Sequence, residues 1–233
     1  MVIHVANKTT RGDEPCDEYL NENHIAALAS AVRERKTLSI SVDPDTGRAD
    51  LAPDTVRSTP DEGETNVRIS THPTPRLFIT GAVHIAQPLC RMARDVGFDV
   101  NIIDPRTGFA REERFPGIPL IKEWPDEALA ETPPDAATAI VTLTHDPKLD
   151  DAALIPALQS SAFYIGALGS RRTHEKRKAR LREAGVSFEA IERISAPVGL
   201  PLGGRGPAEI ALAITAELVK ARYQSMTPTA DAM

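Results

Sequence analysis

From residue 75 onward, short apolar runs alternate with longer segments whose apolar positions recur every three or four residues. The runs have the length of strands covered on both faces, and the spacing between them is that of amphipathic helices. Strands that alternate with helices predict a parallel sheet with right-handed crossovers. We therefore predict an α/β fold over residues 75–225, with strands that include 77–79, 98–103, 139–144 and 163–165.

Residues 1–70 carry a different pattern, with one segment of helical period and several short alternating runs. Prolines, a glycine and several acids interrupt the pattern between residues 53 and 65, and the connector 71–75 is stiff because a residue before proline disfavours helix. We expect residues 1–70 to form a small α+β appendage. Its predicted helix lies within 17–34, and its predicted strands are 2–5, 37–42, 49–51 and 67–69.

The first strand–helix–strand unit after Pro75 has the layout of a Rossmann-like dinucleotide-binding unit. Gly81 follows the first strand at the point where the chain must turn, and Asp104 lies at the carboxyl end of the second strand. In such folds, N–H groups at the helix start meet a phosphate and the acid holds a ribose hydroxyl. Val83 stands where a second glycine would let the backbone approach a pyrophosphate. We therefore expect weak or no NAD binding, and a unit that binds nothing is an equal alternative.

Polar residues follow four of the predicted strands, where ligands of parallel sheets bind. His145 with Asp146 is suited to acid–base work, to binding a ligand oxygen or to capping the next helix. In the basic run 171–182, most side chains are expected to be a solvated face, whereas Arg171 follows Ser170 at a helix start and could meet an anion. We predict an anionic ligand between His84, His145 and Ser170-Arg171. The candidate binding residues at these ends are Gly81, His84, Asp104, Arg106, His145, Asp146, Gly166, Gly169, Ser170 and Arg171.

Composition and charge disfavour some classes of function for this protein. The chain has 233 residues, 41% hydrophobic and 26% charged, with a formal net charge of −6. This balance is that of a globular protein with a sizeable core, and it disfavours general binding to nucleic acid or anionic membrane. No apolar run has membrane-spanning length and the N-terminus lacks a signal pattern, so the expected compartment is the cytoplasm. Cys16 and Cys90 make neither a disulfide framework nor a metal-ligand spacing, and Cys90 is expected in the core.

Five motifs in order resemble the xanthine dehydrogenase accessory (XdhC/CoxI) family, over residues 75–223. Residues 81–86, Gly-Ala-Val-His-Ile-Ala, are similar to the family's turn of the form GAGH followed by Val or Ile and Ala. The other four are Asp104-Pro105-Arg106 for its D-x-R, Thr144-His145-Asp146 for its T-H-D, residues 164–171 for its Y-I-G-x-x-G-S motif with a final Arg or Lys, and residues 197–211 for its P-I/V-G-L and P-x-E-I-A pair.

This resemblance implies an accessory protein rather than a catalyst. Such proteins bind molybdenum cofactor (molybdopterin) transiently, protect it while its terminal sulfur ligand is installed, and deliver it to a xanthine dehydrogenase-like molybdoenzyme. A cysteine desulfurase and a homodimer are further partners compatible with that role. In the last motif, Arg205 and Glu209 are implied as cofactor-binding residues. The family's N-terminal G-C-x-E segment, whose cysteine is a proposed molybdenum contact, is nearly absent here. Cys16 with Asp17-Glu18 is its candidate remnant, with Pro15 in place of the glycine, so the resemblance implies Cys16 as a cofactor-binding residue.

Two rival functions stay open at this point. An NAD(P)-dependent oxidoreductase is favoured by the strand–helix–strand unit and Asp104, and is disfavoured by Val83 and by the lack of a recognisable substrate domain. A scaffold that acts by protein contact without a ligand is the other alternative. The sequence leaves any metal ligand unassigned.

Overall fold

A computed structural model of the protein describes residues 19–52 and 67–226. The chain divides into two compact units, residues 1–72 and 73–233. Within the two described ranges, no helix is long and apolar enough to cross a membrane. The strand expected at 2–5, Cys16 and the tail from residue 227 lie outside the described residues.

The first unit contains one helix and a small antiparallel sheet. Helix α1 begins later than the segment 17–34 predicts, because the Asn21 side chain accepts hydrogen bonds from the backbone N–H groups of Asn23 (2.9 Å) and His24 (3.2 Å) and so caps it. Leu28, Ile40 and Ala49 form its buried core. The elements are α1 (Glu22–Arg33), β1 (Leu38–Val42), β2 (Ala49–Ala52) and β3 (Val67–Thr71), with the strand order β2-β1-β3.

The second unit is built on a six-stranded sheet in which every neighbouring pair is parallel, as the sequence predicts. The last strand, Ile194–Ser195, was not predicted, because two residues are too few to show an alternation of apolar and polar positions. The strands are β4 (Arg76–Thr80), β5 (Asp99–Ile103), β6 (Leu120–Ile121), β7 (Thr138–Thr142), β8 (Tyr164–Ala167) and β9 (Ile194–Ser195), in the order β6-β5-β4-β7-β8-β9.

Helices cover both faces of this sheet. Leu77 and Ile79 of β4 pack in one apolar cluster, whereas Phe78 packs in a second cluster on the opposite face, as the two-residue period of a strand requires. The helices are α2 (Ala86–Asp95) and α7 (Pro207–Met226) on the first face, and α3 (Pro125–Glu131), α4 (Pro147–Gln159), α5 (Arg171–Glu183) and α6 (Phe188–Ile191) on the second; a short 3₁₀ helix spans Glu112–Arg114.

Helix α4 starts before residue 151, where the sequence placed its beginning. The Asp146 side chain accepts a hydrogen bond from the backbone N–H of Lys148 (3.0 Å), and Pro147 occupies the first helical position, where its missing N–H costs nothing. The polar loop after β7 is therefore short, and it ends directly at a helix start.

The strand order reverses between β4 and β7, which lie side by side at the centre of the sheet with Thr80 opposite Thr142. The chain runs outward from β4 to β6 and then crosses to β7, so the loops after β4 and β7 leave the same edge in opposite directions. Such a reversal opens a crevice at the carboxyl ends of the strands. This position is where the candidate site residues lie.

Candidate functional site

The turn after β4 contacts the loop after β7 closely. Gly81 has φ +107°, and a β-carbon built on it would lie 2.6 Å from Cγ2 of Thr144. Only glycine tolerates both this backbone conformation and this approach without strain. The sheet thus brings Gly81 of the first turn against Thr144, the residue that precedes His145 and Asp146.

Asp104 is fully buried and is occupied by groups of its own chain. Its Oδ2 accepts a hydrogen bond from the backbone N–H of Ala82 (2.8 Å), and the Arg106 guanidinium binds both carboxylate oxygens, each at 2.8 Å. The backbone N–H of Arg106 donates to Oδ1 (3.0 Å). Burial alone would raise the pKa of Asp104, but the hydrogen bonds from Arg106 and Ala82 outweigh it and hold this pKa below its usual value. A ribose hydroxyl could reach the carboxylate only if Arg106 moved.

A second arginine fixes the other side of the same turn. Nη1 of Arg114 donates to the backbone carbonyls of Ala82 (2.8 Å) and Phe109 (2.7 Å), and the Arg106 guanidinium lies over the Phe109 ring, 4.3 Å from its centroid. Both backbone groups of Ala82 are therefore held by side chains. Arg114 was not a predicted site residue. Its bond to the carbonyl of Ala82 joins residues that are distant in sequence, and such a contact leaves no pattern in the sequence.

The start of α2 offers backbone donors beside this turn. Among the described residues, the N–H groups of Val83, His84 and Ile85 have no hydrogen-bond partner, and the His84 side chain is exposed. The Val83 side chain is partly buried against the apolar cluster of α2 and α7. Unpaired N–H groups at a helix start favour an anion.

His145 and Asp146 have separate environments. His145 is exposed, whereas Asp146 caps α4, which is one of the three roles that the sequence left open for this pair. The Thr144 hydroxyl donates to Oδ1 of Asp150 (2.7 Å) on the first turn of α4. The Thr144 and Asp146 side chains thus fix the loop to α4, and the His145 imidazole stays exposed to solvent.

The motif after β8 also divides into packing and capping roles. A β-carbon on Gly166 would lie 2.6 Å from Cγ2 of Val198, so this glycine serves close packing. Gly169 has φ +136°, and the Ser170 hydroxyl accepts a hydrogen bond from the backbone N–H of Thr173 (3.2 Å) and caps α5. Arg171 is exposed, at the first position of that helix.

Arg205 and Glu209 lie at the start of α7. Oε2 of Glu209 accepts hydrogen bonds from the backbone N–H groups of Gly206 (2.8 Å) and Arg205 (3.0 Å), which lower the pKa of this carboxyl. The Arg205 side chain is exposed. No hydrogen bond or ion pair within the described part of the chain joins this pair to the turn at Gly81.

A cavity of about 240 Å³ lies beside His145, between the start of α4 and helix α5. Arg172, Lys176 and Arg180 recur every fourth residue along α5 and line it, so part of the basic run faces this cavity instead of being only a solvated face. The four-residue spacing of these basic side chains places them on one face of the helix, and this spacing could have revealed the basic surface from the sequence. The lining residues are Thr144, His145, Pro147, Asp150, Arg172, Thr173, Lys176, Arg177 and Arg180.

Over residues 19–52 and 67–226, no group of three or more His, Cys, Asp or Glu side chains is placed to hold a metal ion. Cys90 is buried in α2, as expected, and burial raises the pKa of its thiol to about 12. A thiol with that pKa is a poor nucleophile at neutral pH.

This sheet order and polar edge define an α/β protein of Rossmann type with a candidate site for an anionic ligand at the switch point. Residues 77–218 match the family model described as the XdhC Rossmann domain, and the chain belongs to that family. The family assignment from the five motifs is therefore confirmed.

Two curated relatives agree with this assignment. The chain is 29% identical over 198 residues to the molybdenum cofactor insertion chaperone PaoD of Escherichia coli, covering 85% of this chain and 55% of that protein. It is 34% identical over 154 residues to a probable xanthine dehydrogenase subunit of Bacillus subtilis, covering 64% and 44%. The chain thus spans about half the length of these relatives.

The fold is shared with a crystal structure of a xanthine dehydrogenase from Bacillus halodurans. The TM-score is 0.68 at 23% sequence identity, and the match covers 90% of this chain and 66% of that one. This likeness confirms the predicted fold class.

Proposed function

We propose that this chain binds molybdenum cofactor transiently and passes it to a xanthine dehydrogenase-like molybdoenzyme. The observation that carries the proposal is the continuous edge formed by the α2 start, His145 and the basic cavity, at the switch point of an XdhC-family sheet. The name of the relative PaoD supports the choice of cofactor. As expected of the family, a cysteine desulfurase and a second copy of the chain are further proposed partners, and the cytoplasm is the proposed compartment.

The residues of this edge fit such a ligand. Molybdopterin carries a phosphate and a pterin with hydrogen-bond acceptors, and this edge offers donors for such a ligand. They are the unpaired N–H groups at the α2 start, the exposed imidazoles of His84 and His145 and the Arg171 guanidinium. When bound, the cofactor would supply the redox centre that the client enzyme uses. Cys16 as a molybdenum contact remains a prediction, and so does a cofactor-binding role for Arg205 and Glu209.

In this proposal Asp104 and Arg106 position the site. The carboxylate holds the N–H of Ala82, and Arg114 holds its carbonyl, so the turn presents a fixed backbone to the ligand. Preorganised donors bind an anion more tightly than mobile ones, because less conformational entropy is lost on binding. The predicted contact of Asp104 with a ribose would require this arrangement to open.

The proposal is tested by molybdenum and pterin analysis of the protein purified from a host that makes the cofactor. Wild type should retain both, and Arg171→Ala should retain less with a nearly unchanged melting temperature, since an exposed substitution usually costs under about 0.5 kcal/mol. Arg182→Ala, on the same helix and away from the cavity, is the matched control. Absence of molybdenum and pterin from wild type would refute the function, and equal retention by Arg171→Ala would remove Arg171 from the site.

A further inference from the structure

Arg177 of α5 is a buried cation with incomplete pairing. Its side chain is 2% exposed, and its Nη2 donates to the carbonyl of Leu168 (2.8 Å) but reaches Oδ2 of Asp150 only at 3.4 Å. Its Nε and Nη1 are buried and have no hydrogen-bond partner among the residues described. An arginine stays charged when buried, so these unpaired N–H groups carry a desolvation penalty that an anion would offset.

The neighbouring acid does not neutralise this guanidinium fully. Asp150 is also buried, and its Oδ1 is engaged by the Thr144 hydroxyl at 2.7 Å. Burial raises the pKa of Asp150, although the hydrogen bond from Thr144 and the charge of Arg177 oppose that effect. The pair is therefore held by one long contact, whereas a well-formed arginine–carboxylate pair has two short ones.

The cavity beside Arg177 is strongly basic. Arg180 is paired with Asp151, its Nη2 donating to Oδ1 at 3.0 Å. Arg172 and Lys176 make no hydrogen bond or ion pair with any described residue. The lining thus holds four cationic side chains and one carboxylate, so the potential inside favours an anion.

The size of the cavity limits what it can hold. Its volume of about 240 Å³ is below the range of about 300–1,000 Å³ that is usual for pockets enclosing whole small molecules. It has room for a phosphate group and part of an ester arm, and not for a complete pterin or nucleoside.

We propose that the cavity between α4 and α5 is a phosphate subsite, in which Arg172 and Lys176 bind the terminal phosphate monoester of the cofactor and the buried charge of Arg177 adds to the attraction. The assignment to that cofactor rests on the proposed function, whereas the anion site rests on the buried guanidinium and the basic lining. His145 lines the same cavity, so a phosphate placed there lies next to the loop that contacts the turn at Gly81. The rest of the ligand would extend along the edge of the sheet.

The anion site is tested by calorimetric titration of the full chain with inorganic phosphate at low ionic strength. Arg172→Ala and Lys176→Ala should each weaken phosphate binding about tenfold or more, the loss of one charge-assisted hydrogen bond. Both side chains are exposed, so these variants should fold, unlike an Arg177 variant that would leave Asp150 unpaired. Arg182→Ala, with the same change of charge on the same helix, should bind as wild type does. No phosphate binding, or equal binding by all variants, would overturn the site.

A second measurement tests the phosphate subsite and the proposed function independently. Arg172→Ala and Lys176→Ala should lose molybdopterin during purification, while Arg182→Ala keeps it. In calorimetry with the wild-type protein, methyl phosphate should bind more tightly than dimethyl phosphate, because the diester has only one negative charge and fewer free oxygens. Equal retention of molybdopterin by the three variants would refute the assignment to the cofactor. Phosphate binding that responds to the variants, in a protein that never retains molybdopterin, would support the anion site and refute the proposed function.

Discussion

At the scale of single residues, the Asp104 carboxylate holds the turn after β4 through bonds from Ala82 and Arg106. Asp104→Asn should lower the free energy of unfolding by about 1–3 kcal/mol, because an amide nitrogen would face one of these donors. The folded pKa is lowered, so the stabilisation is complete above the unfolded value of about 3.9 and is lost as pH falls through the folded pKa. Urea unfolding should show the largest difference near neutral pH.

The exposed Asp99 gives a control for this prediction, since it lies at the start of β5 and Asp99→Asn removes the same charge. That variant should stay within about 0.5 kcal/mol of wild type at every pH. An Asp104→Asn effect that is absent at neutral pH, or that grows as pH falls, would show that the carboxylate does not stabilise the turn in its charged form.

Val83 carries a prediction about nucleotide binding. Its side chain stands where dinucleotide-binding turns have bare backbone, so phosphate contacts should be weakened by about 1.5–3 kcal/mol, or roughly ten- to a hundred-fold in affinity. Calorimetry should find weak or no NAD binding to wild type, and tighter binding to Val83→Gly if the helix tolerates the loss of a partly buried side chain. Tight NAD binding by wild type would favour the oxidoreductase alternative.

At the scale of elements, one carboxylate ties α7 to the sheet. Glu217 accepts hydrogen bonds from the Tyr164 hydroxyl of β8, the Ser195 hydroxyl of β9 and the backbone N–H of Gly199, each at 2.6 Å. Glu217→Gln replaces one acceptor oxygen by a donor and should cost about 1.5–3 kcal/mol. Urea unfolding should show a lower midpoint with an unchanged slope. Glu175→Gln, on an exposed side chain, is the control, and an equal effect of both would contradict the role of Glu217.

The elements of the second unit were largely predictable, because doubly covered strands leave apolar runs and amphipathic helices leave a period near 3.6. The strand at 139–144 and the helix after Gly81 followed from these patterns alone. The order of the strands and β9 did not, since β9 has two residues and its place depends on contacts distant in sequence. The hydrogen bonds of Glu217 were not predictable for the same reason, because its partners lie at residue 164 and at residues 195–199, both distant in sequence.

The site was predictable to the level of strand ends and no further. Position after a strand places a residue at the edge of the sheet, and in the structure Gly81 indeed contacts Thr144, the residue before His145. This position does not determine whether a side chain faces a ligand or another part of the protein. Asp104 and Asp146 accept hydrogen bonds from backbone N–H groups of the chain, and Arg172 lines the cavity while Arg171 does not. Side-chain direction depends on caps and packing that strand periodicity does not encode.

At the scale of the whole molecule, the proposed ligand would touch segments that are far apart in sequence and adjacent at the sheet edge. Bound ligand stabilises the native state by mass action, and the segments it touches open less often. Hydrogen exchange by segment can therefore report which part of the chain holds the ligand. The helix α6 has no place in the proposed site and provides an internal reference.

Loading the protein with molybdopterin should slow amide exchange in three segments, 81–86, 143–150 and 168–177, and leave residues 188–191 unchanged. The physical reason is that the turn after β4, the loop after β7 and the start of α5 converge on one edge, so a single ligand restrains all three. Mass spectrometry of peptides from loaded and unloaded protein makes the comparison, with NAD as a second ligand. Slowing of segment 81–86 by NAD alone would support an oxidoreductase, and no change with either ligand would support a scaffold that acts through protein contact.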